Sequence, residues 1–466
     1  MLAATPAATP AATPAATMVR LGPAMLLLLS LLLATPSRAL CQQPGSNAGE
    51  VLTLEQAIAL GMRENHTVKN AALGVGIAAD TLAATRTSRL PSVDVFGLVS
   101  DQLVKHDTNI VDPASSIFPG IAPFFTLSVP RKPRAIFNGS IVEPLSQQYR
   151  IGLNIQQARL AREVAGEELR SVQQSTVDGV KRNYYAILQS QSALDSIKEE
   201  IRLYHELDRV TGDYVARQVS LKSDSLEVKT RLAKAEYDAL NLTNQLATQK
   251  EQLNNLLGRD VRTEFRVSAV PAAGDFGLDL ALARSHALEH RPELGEARLK
   301  VKQAEIDRRI KKSEYIPDVS LGFAYTTFRN FDNVIPKNFA SVGVVVKWEV
   351  FDWGRKRDQL AAKDKAIEQA KNELHETESQ VLIDVGDKFR KLQQTRQALV
   401  VAQLAQETAR EGLRVNTNKY KVTAALLSEV LQAQANLAET DHQYQQTLLN
   451  YWTAKADFEK ALGEEK

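Results

Sequence analysis

Cysteine is almost missing from this chain: Cys41 is alone among 466 residues. Neither an intrachain disulfide framework nor a cysteine-based metal site is therefore open to it. A dominant sign of charge is missing too. Fifty-seven Lys and Arg are balanced by 55 Asp and Glu, which leaves no electrostatic case for nucleic acid or another strongly anionic partner. Aromatic residues make up only 6%. Ala, Leu, Gln, Glu, Lys and Arg crowd the middle and end of each half, a composition that favours long helices over a compact mixed core. Downstream of Cys41 no apolar run is long enough to span a bilayer. Such a chain can cross a membrane only as a closed barrel, because open strand edges cannot be hydrogen-bonded in lipid. No Gly-rich phosphate loop and no nucleophile elbow occurs, so the chain is expected to be no enzyme and to hold no cofactor.

What is there begins with a leader, residues 1–39. An AATP repeat precedes Met18, which opens a better signal peptide: Arg20 is the charged region and Met25 to Ala34 the apolar one. Ser37-Arg38-Ala39 then suits a small-x-small cleavage site. Export from a bacterial cytoplasm is expected, with the start at Met1 or Met18. Cys41 invites lipidation, against which stands the bulky Leu40 before it.

The chain is organised around Ser341 to Gln369. Val342, Val344, Val346, Trp348 and Val350 alternate with Ser341, Gly343, Lys347 and Glu349, the period of a strand with one apolar and one polar face. After Gly354 the apolar positions step by seven through Leu360, Ile367, Leu374 and Val381, the seam of a long helix. The step then shortens to Val385, Leu392 and Leu399, a stutter that straightens helix packing. A second strand, Val319 to Tyr325, sets Val319, Leu321, Phe323 and Tyr325 against Ser320, Gly322 and Ala324. Bulky residues outward and small ones inward fit a lipid-facing wall around a lumen, with Lys347 and Glu349 lining that lumen and Val346 near the membrane midplane. Phe328, Phe331, Phe339, Phe351 and Trp353 gather near the strand ends like an interfacial girdle.

The mature chain repeats itself. Leu52 to Leu73 resembles Leu278 to Leu299, and the register holds from Leu90-Pro91-Ser92-Val93 to Ile316-Pro317-Asp318-Val319. Later, Val180, Tyr184, Leu232 and Leu257-Gly258 align with Val385, Phe389, Leu437 and Leu462-Gly463. The shift drops between these blocks, which places a long extra loop between Lys105 and Arg134. A duplication follows: residues 40–263 and 278–466 are two copies, joined by a linker at 264–277. Each reads helix, strand, loop, strand, long helix, helix. The long helices run from Arg150 to Arg217 and from Gly354 to Lys421, roughly 100 Å each at the helical rise.

Two motifs carry candidate chemistry. His286-Ala287-Leu288-Glu289-His290 spells HxxEH, a zinc-protease pattern. Pro292 ends that helix at once, and the other copy carries Leu60 and Glu64 at the histidine positions, so the pair reads as a surface coincidence and no metal is assigned. The turns near Arg217 to Ser220 and Thr423 to Leu426 each precede an acid in the next helix, Asp224 and Glu429. Such a carboxylate either compensates the helix dipole or lines a pore.

These features together resemble the TolC-type outer-membrane efflux proteins, over essentially the whole mature chain. The resemblance rests on the duplicated LTLEQAIALGMRENH-type opening, the Pro-initiated strands, the WEVFDWG junction and the LLG and ALG helix ends. It implies a mainly α chain with a transmembrane β-barrel portion. Four strands per chain cannot close a barrel, but a homotrimer supplies twelve, continued by an α-helical tunnel into the periplasm. The implied partners are a periplasmic adaptor, an inner-membrane pump or secretion transporter, and outer-membrane lipid. Passive passage of substrates would be the function; a non-channel periplasmic coiled-coil adaptor is the alternative. Asp224 and Tyr420 match the family's closed aperture, in which Tyr420 would bond to Asp224, although Ala425 stands where the family has Arg. Glu429 matches an acidic constriction residue whose usual partner acid is Gln432 here. Both tip glycines are missing, the turns reading Ala216-Arg217-Gln218 and Val422-Thr423-Ala424, which leaves the mode of adaptor contact open.

Overall fold

The structure is a computed structural model that describes residues 51–101, 103–104, 106–111, 124–129, 133–269, 279–331, 336–422 and 424–464. The leader and Cys41 lie outside the described residues, as does Thr423. In chain order the elements of the first half are β1 (Val51–Leu52), α1 (Leu54–Glu64), α2 (His66–Thr87), β2 (Ser92–Asp101), β3 (His106–Val111), β4 (Phe124–Val129), β5 (Pro133–Pro144), α3 (Gln148–Ala216) and α4 (Lys222–Leu256). There follow β6 (Arg266–Val267), α5 (Leu280–His290), α6 (Pro292–Ser313), β7 (Asp318–Arg329), β8 (Asn338–Lys347), α7 (Arg355–Lys421) and α8 (Leu427–Ala461).

The duplication is visible element by element. α1 and α5 begin at 54 and 280 and end at 64 and 290, and the same shift relates α2 to α6 and the starts of β2 and β7. α4 and α8 begin at 222 and 427 and end at 256 and 461, and α3 and α7 end at the corresponding residues. The long helices hold 69 and 67 residues, roughly 100 Å at 1.5 Å per residue.

The opening helix of each copy is broken. In the first, Asn65 ends α1 and caps α2: its Oδ1 accepts the Thr67 and Val68 N–H groups at 2.8 and 3.2 Å, while its Nδ2 donates to the Leu256 carbonyl at 2.7 Å. In the second, Arg291 and Pro292 make the break, with proline at the first helical position, where its missing N–H costs nothing. The glycines of the LLG and ALG ends are needed here. Gly258 and Gly463 have φ of +68° and +84°. A Cβ on Gly258 would lie 2.2 Å from the Glu64 carbonyl oxygen, and one on Gly463 2.9 Å from the carbonyl carbon of His290. Only glycine lets each hairpin end seat against the break in its own copy.

Two expectations change. The stretch between Lys105 and Arg134, expected as a loop, contains the antiparallel pair β3–β4, with His106 opposite Val129. The segment expected as a linker contains β6, which pairs in parallel with β1. Tyr184 fixes that pairing, its hydroxyl lying 2.9 Å from the Leu52 carbonyl and 2.8 Å from that of Ser268.

The buried apolar residues fall in three clusters along the helices. One gathers α1, α3, α4 and Phe265 around Val180, Tyr184, Leu253 and Leu257. Its counterpart in the second copy is built on Ala287, Val385, Phe458 and Leu462. Val381, Val385 and Leu392 are all buried, as the shortened seam step requires. The third cluster holds Tyr204, Leu207, Val228, Tyr420, Val430 and Leu431 from four helices. Tyr185 stacks on Trp452 at 5.2 Å, and Lys181 pairs with Glu459, both little exposed. These contacts join the long helix of one copy to the last helix of the other.

Candidate functional site

The four long strands form one antiparallel sheet in the order β2-β5-β7-β8, so the two copies share it through β5 and β7. Residues opposite one another across a ladder project from the same face. One row reads Val93, Ile141, Phe323, Val342; the next reads Asp94, Ser140, Ala324, Ser341. In these two rows, near the middle of the sheet, apolar side chains line one face from edge to edge and small or polar ones the other. On the polar face Asn138 donates to the Thr326 hydroxyl at 2.7 Å. All four members of the apolar row are exposed in the single chain, Val342 by 74%. An apolar face of this extent uncovered by the chain's own core requires another cover.

β8 ends earlier than the alternation suggests. Its last partner pair is Lys347 with Asp318, and the residue before Asp318 is Pro317, which has no N–H for the ladder. Lys347 is on the polar face beside Asp318, whose carboxylate Arg150 holds at 3.0 Å. Glu349, expected on the strand, lies two residues past it. Its carboxylate meets Arg355 at 2.5 Å and Lys356 at 3.3 Å, so it braces the junction with α7. The turn itself is set by Trp353 and Gly354, with φ of +59° and +87°. Asp352 closes it, accepting the N–H groups of Gly354 at 3.1 Å and Lys356 at 2.8 Å. Phe351 and Trp353 meet edge to face at 4.8 Å, and both are strongly exposed.

At the other end of the long helices lie Asp224 and Glu429, both the third residue of their helices. Asp224 is engaged: its carboxylate accepts the Ser220 hydroxyl at 2.5 Å and the Leu221 N–H at 3.3 Å. The Ser220 bond, above all, holds its pKa below the usual carboxylate range. Glu429 has no such partners; among the described residues no donor reaches its carboxylate. It lines a cavity of about 610 Å³ between α7 and α8 with Thr408, Gly412, Asn416, Gln432 and Asn436. Tyr420 is buried, packs on Tyr214 at 5.8 Å and faces Thr211. Burial pushes its hydroxyl pKa up. Within one chain, therefore, Tyr420 turns toward α3, and Asp224 is spent on its own helix start.

Sequence reasoning missed Glu200. Its carboxylate takes hydrogen bonds from Tyr204 and from Gln434 of α8, and burial, the largest influence, raises its pKa. No local pattern marks it, since its partner lies more than two hundred residues away.

The family model described as "Outer membrane efflux protein" matches residues 283–464. That match lies within the second copy of the repeat. The Campylobacter jejuni CmeC outer membrane channel superposes with a TM-score of 0.73 at 14% identity, covering 88% of this chain and 85% of that one. The outer membrane protein VceC of Vibrio cholerae gives 0.68 at 16% identity, covering 88% and 96%. The Neisseria gonorrhoeae MtrE outer membrane channel, in its open state, gives 0.68 at 15%, covering 88% and 89%. An uncharacterized Haemophilus influenzae protein is 19% identical over 215 residues, 44% of this chain and 47% of that protein. The match thus spans about half the length of that relative. The fold is that of the TolC-type channels: mainly α-helical with a small antiparallel sheet.

Proposed function

We propose that this chain is one subunit of an outer-membrane exit duct, through which substrates handed over by an inner-membrane pump or secretion transporter pass without further energy input. The observation that carries this reading is the two-faced sheet with both edges open. Successive strands alternate in direction, so β8 runs opposite to β2. The β8 edge of one chain can therefore continue antiparallel onto the β2 edge of the next, and three chains close twelve strands with the apolar face to lipid. The long helices carry the same duct into the periplasm, where a periplasmic adaptor would meet the tip. No helix among the described residues is long and apolar enough to cross a membrane; on this reading the spanning element is the barrel.

The two copies would occupy residues 40–263 and 278–466 with 264–277 between them, behind a leader at 1–39. Lys347 would face the lumen near the periplasmic rim, with Glu349 just below the wall. Asp224, Tyr420 and Glu429 would sit at the narrow end. A coiled-coil adaptor has no use for an exposed four-stranded wall, and such a protein extracts without detergent. The test is assembly: in mild detergent the protein should run as a trimer, and in planar bilayers it should give a low-conductance pore. A stable monomer with no conductance would overturn the duct.

A further inference from the structure

The HxxEH segment is better organised than its sequence suggests. α5 runs to His290, so His286 and His290 occupy one face of its last turn, four residues apart. Their rings stack with centroids 4.1 Å apart and planes 10° from parallel. Nδ1 of His286 lies 3.0 Å from the Leu462 carbonyl oxygen, and Nδ1 of His290 lies 2.9 Å from the His286 carbonyl oxygen. A carbonyl can only accept, so each neutral ring carries its proton on Nδ1 and leaves Nε2 as a bare lone pair. Tying Nδ1–H to backbone oxygen fixes the tautomer in which Nε2 is free to ligate a metal; with the planes 10° apart the two lone pairs run side by side and converge only when the rings rotate. Gly463 makes this possible, because its lack of a side chain lets the end of α8 abut His290 and bring the Leu462 carbonyl to His286. Glu289 and Glu464 line the cavity of about 280 Å³ beside His286, which places negative charge near the pair.

We propose that His286 and His290 form a surface chelate for a divalent transition ion, with Cu²⁺ bound more tightly than Zn²⁺. Imidazole suits both metals, and copper stands higher in the general affinity order. Bonds of about 2.0–2.1 Å from two nitrogens to one ion require the ring tips to lean together from their stacked separation. Among the described residues no group of three or more His, Cys, Asp or Glu is placed to hold a metal. The remaining positions therefore belong to water, and the ion exchanges with solvent. The first copy has Leu60 and Glu64 at the matching positions, so there is one such site per chain.

The test uses the tag-free full chain in detergent, stripped with a chelator and titrated with Cu²⁺ or Zn²⁺ salts. One ion per chain is expected, tighter for copper, and the paramagnetic resonance of bound Cu²⁺ should show coupling to two nitrogens. His286→Ala and His290→Ala should each weaken binding by about tenfold or more, because each removes half of a chelate. Both positions are exposed and alanine favours the helix, so an unchanged helical circular-dichroism signal serves as the folding control. Unaltered affinity in either variant, or a resonance with one nitrogen, overturns the chelate.

Discussion

Val93 on β2 and Val342 on β8 stand at opposite ends of one cross-strand row, joined through Ile141 and Phe323, and both belong to edges that are unpaired among the described residues. An open edge beside an apolar face invites pairing with another chain. On the duct reading these two edges meet between subunits. Ser341→Cys combined in turn with Ser92→Cys, Asp94→Cys and Ser100→Cys should yield a covalent trimer at one register of the scan. Cross-links confined to single chains, or none at any register, would reject this closure.

The wall makes a depth prediction. β8 spans Asn338–Lys347, so Val342 is near its centre, while Val346, expected at the midplane, is next to the last partner pair. Arginine on a lipid face costs about 2–4 kcal/mol at the midplane and about 0–1 near an interface. Val342→Arg should therefore destabilise the folded barrel by the larger amount and Val346→Arg by the smaller, as read by denaturant titration in lipid. Lys347→Gln, on the polar face, should fold normally. Equal costs at Val342 and Val346 would remove the assigned depth.

Much of this architecture was legible because it is periodic. The alternation of β7 and β8 survives as faces, and the heptad step of α7 is seen in buried Val381, Val385 and Leu392. The end of β8 was not legible from its own residues: Trp348 and Val350 continue the alternation, but Pro317 on the partner strand stops the ladder. The β3–β4 and β1–β6 pairs depend on distant partners and carry no period long enough to announce them. At the tip, the position after each turn marked Asp224 and Glu429, and the resemblance alone marked Tyr420; their contacts depend on how four helices pack.

Tyr420 tests what holds the tip. Its ring is in the cluster of Tyr204, Leu207 and Val430, so packing outweighs the hydroxyl. Tyr420→Phe, which keeps the ring, should cost at most about 1 kcal/mol and leave resting conductance nearly unchanged. Tyr420→Ala should cost about 3–5 kcal/mol and raise resting conductance. A large leak from the phenylalanine variant would show that the hydroxyl makes a tie between chains.

Glu200 gives the tip a pH dependence. Tyr204 on its own helix and Gln434 on α8 bond to it, while Asp238 and Asp441 add like charge. Its folded pKa is raised, so between the unfolded value, about 4.3, and the higher folded value the native state holds the extra proton. Stability in this region then falls as pH rises through that window. Protection factors of the α3 amides around Glu200, with the intrinsic base-catalysed rates divided out, should be larger at pH 5 than at pH 7.5, and Glu200→Gln should flatten the difference. An equal difference in the variant would move the effect elsewhere.

Glu429 and Asp224 occupy the same helical position with different duties. Asp224 is engaged by Ser220 and Leu221, and the Ser220 bond above all lowers its pKa, which favours the ionised, capping form. Glu429 faces the α7–α8 cavity with its carboxylate unengaged by any donor among the described residues. A ring of carboxylates at a narrow end would favour cations over anions; Asp224 keeps its charge because its donors are neutral, and Glu429 adds a carboxylate that no donor among the described residues holds. Glu429→Gln should shift the reversal potential in a salt gradient toward zero while leaving open probability nearly unchanged. Asp224→Asn should loosen the α3–α4 turn, seen as faster exchange at the Leu221 amide. If Glu429→Gln leaves cation preference intact, the acid serves only the dipole of its own helix.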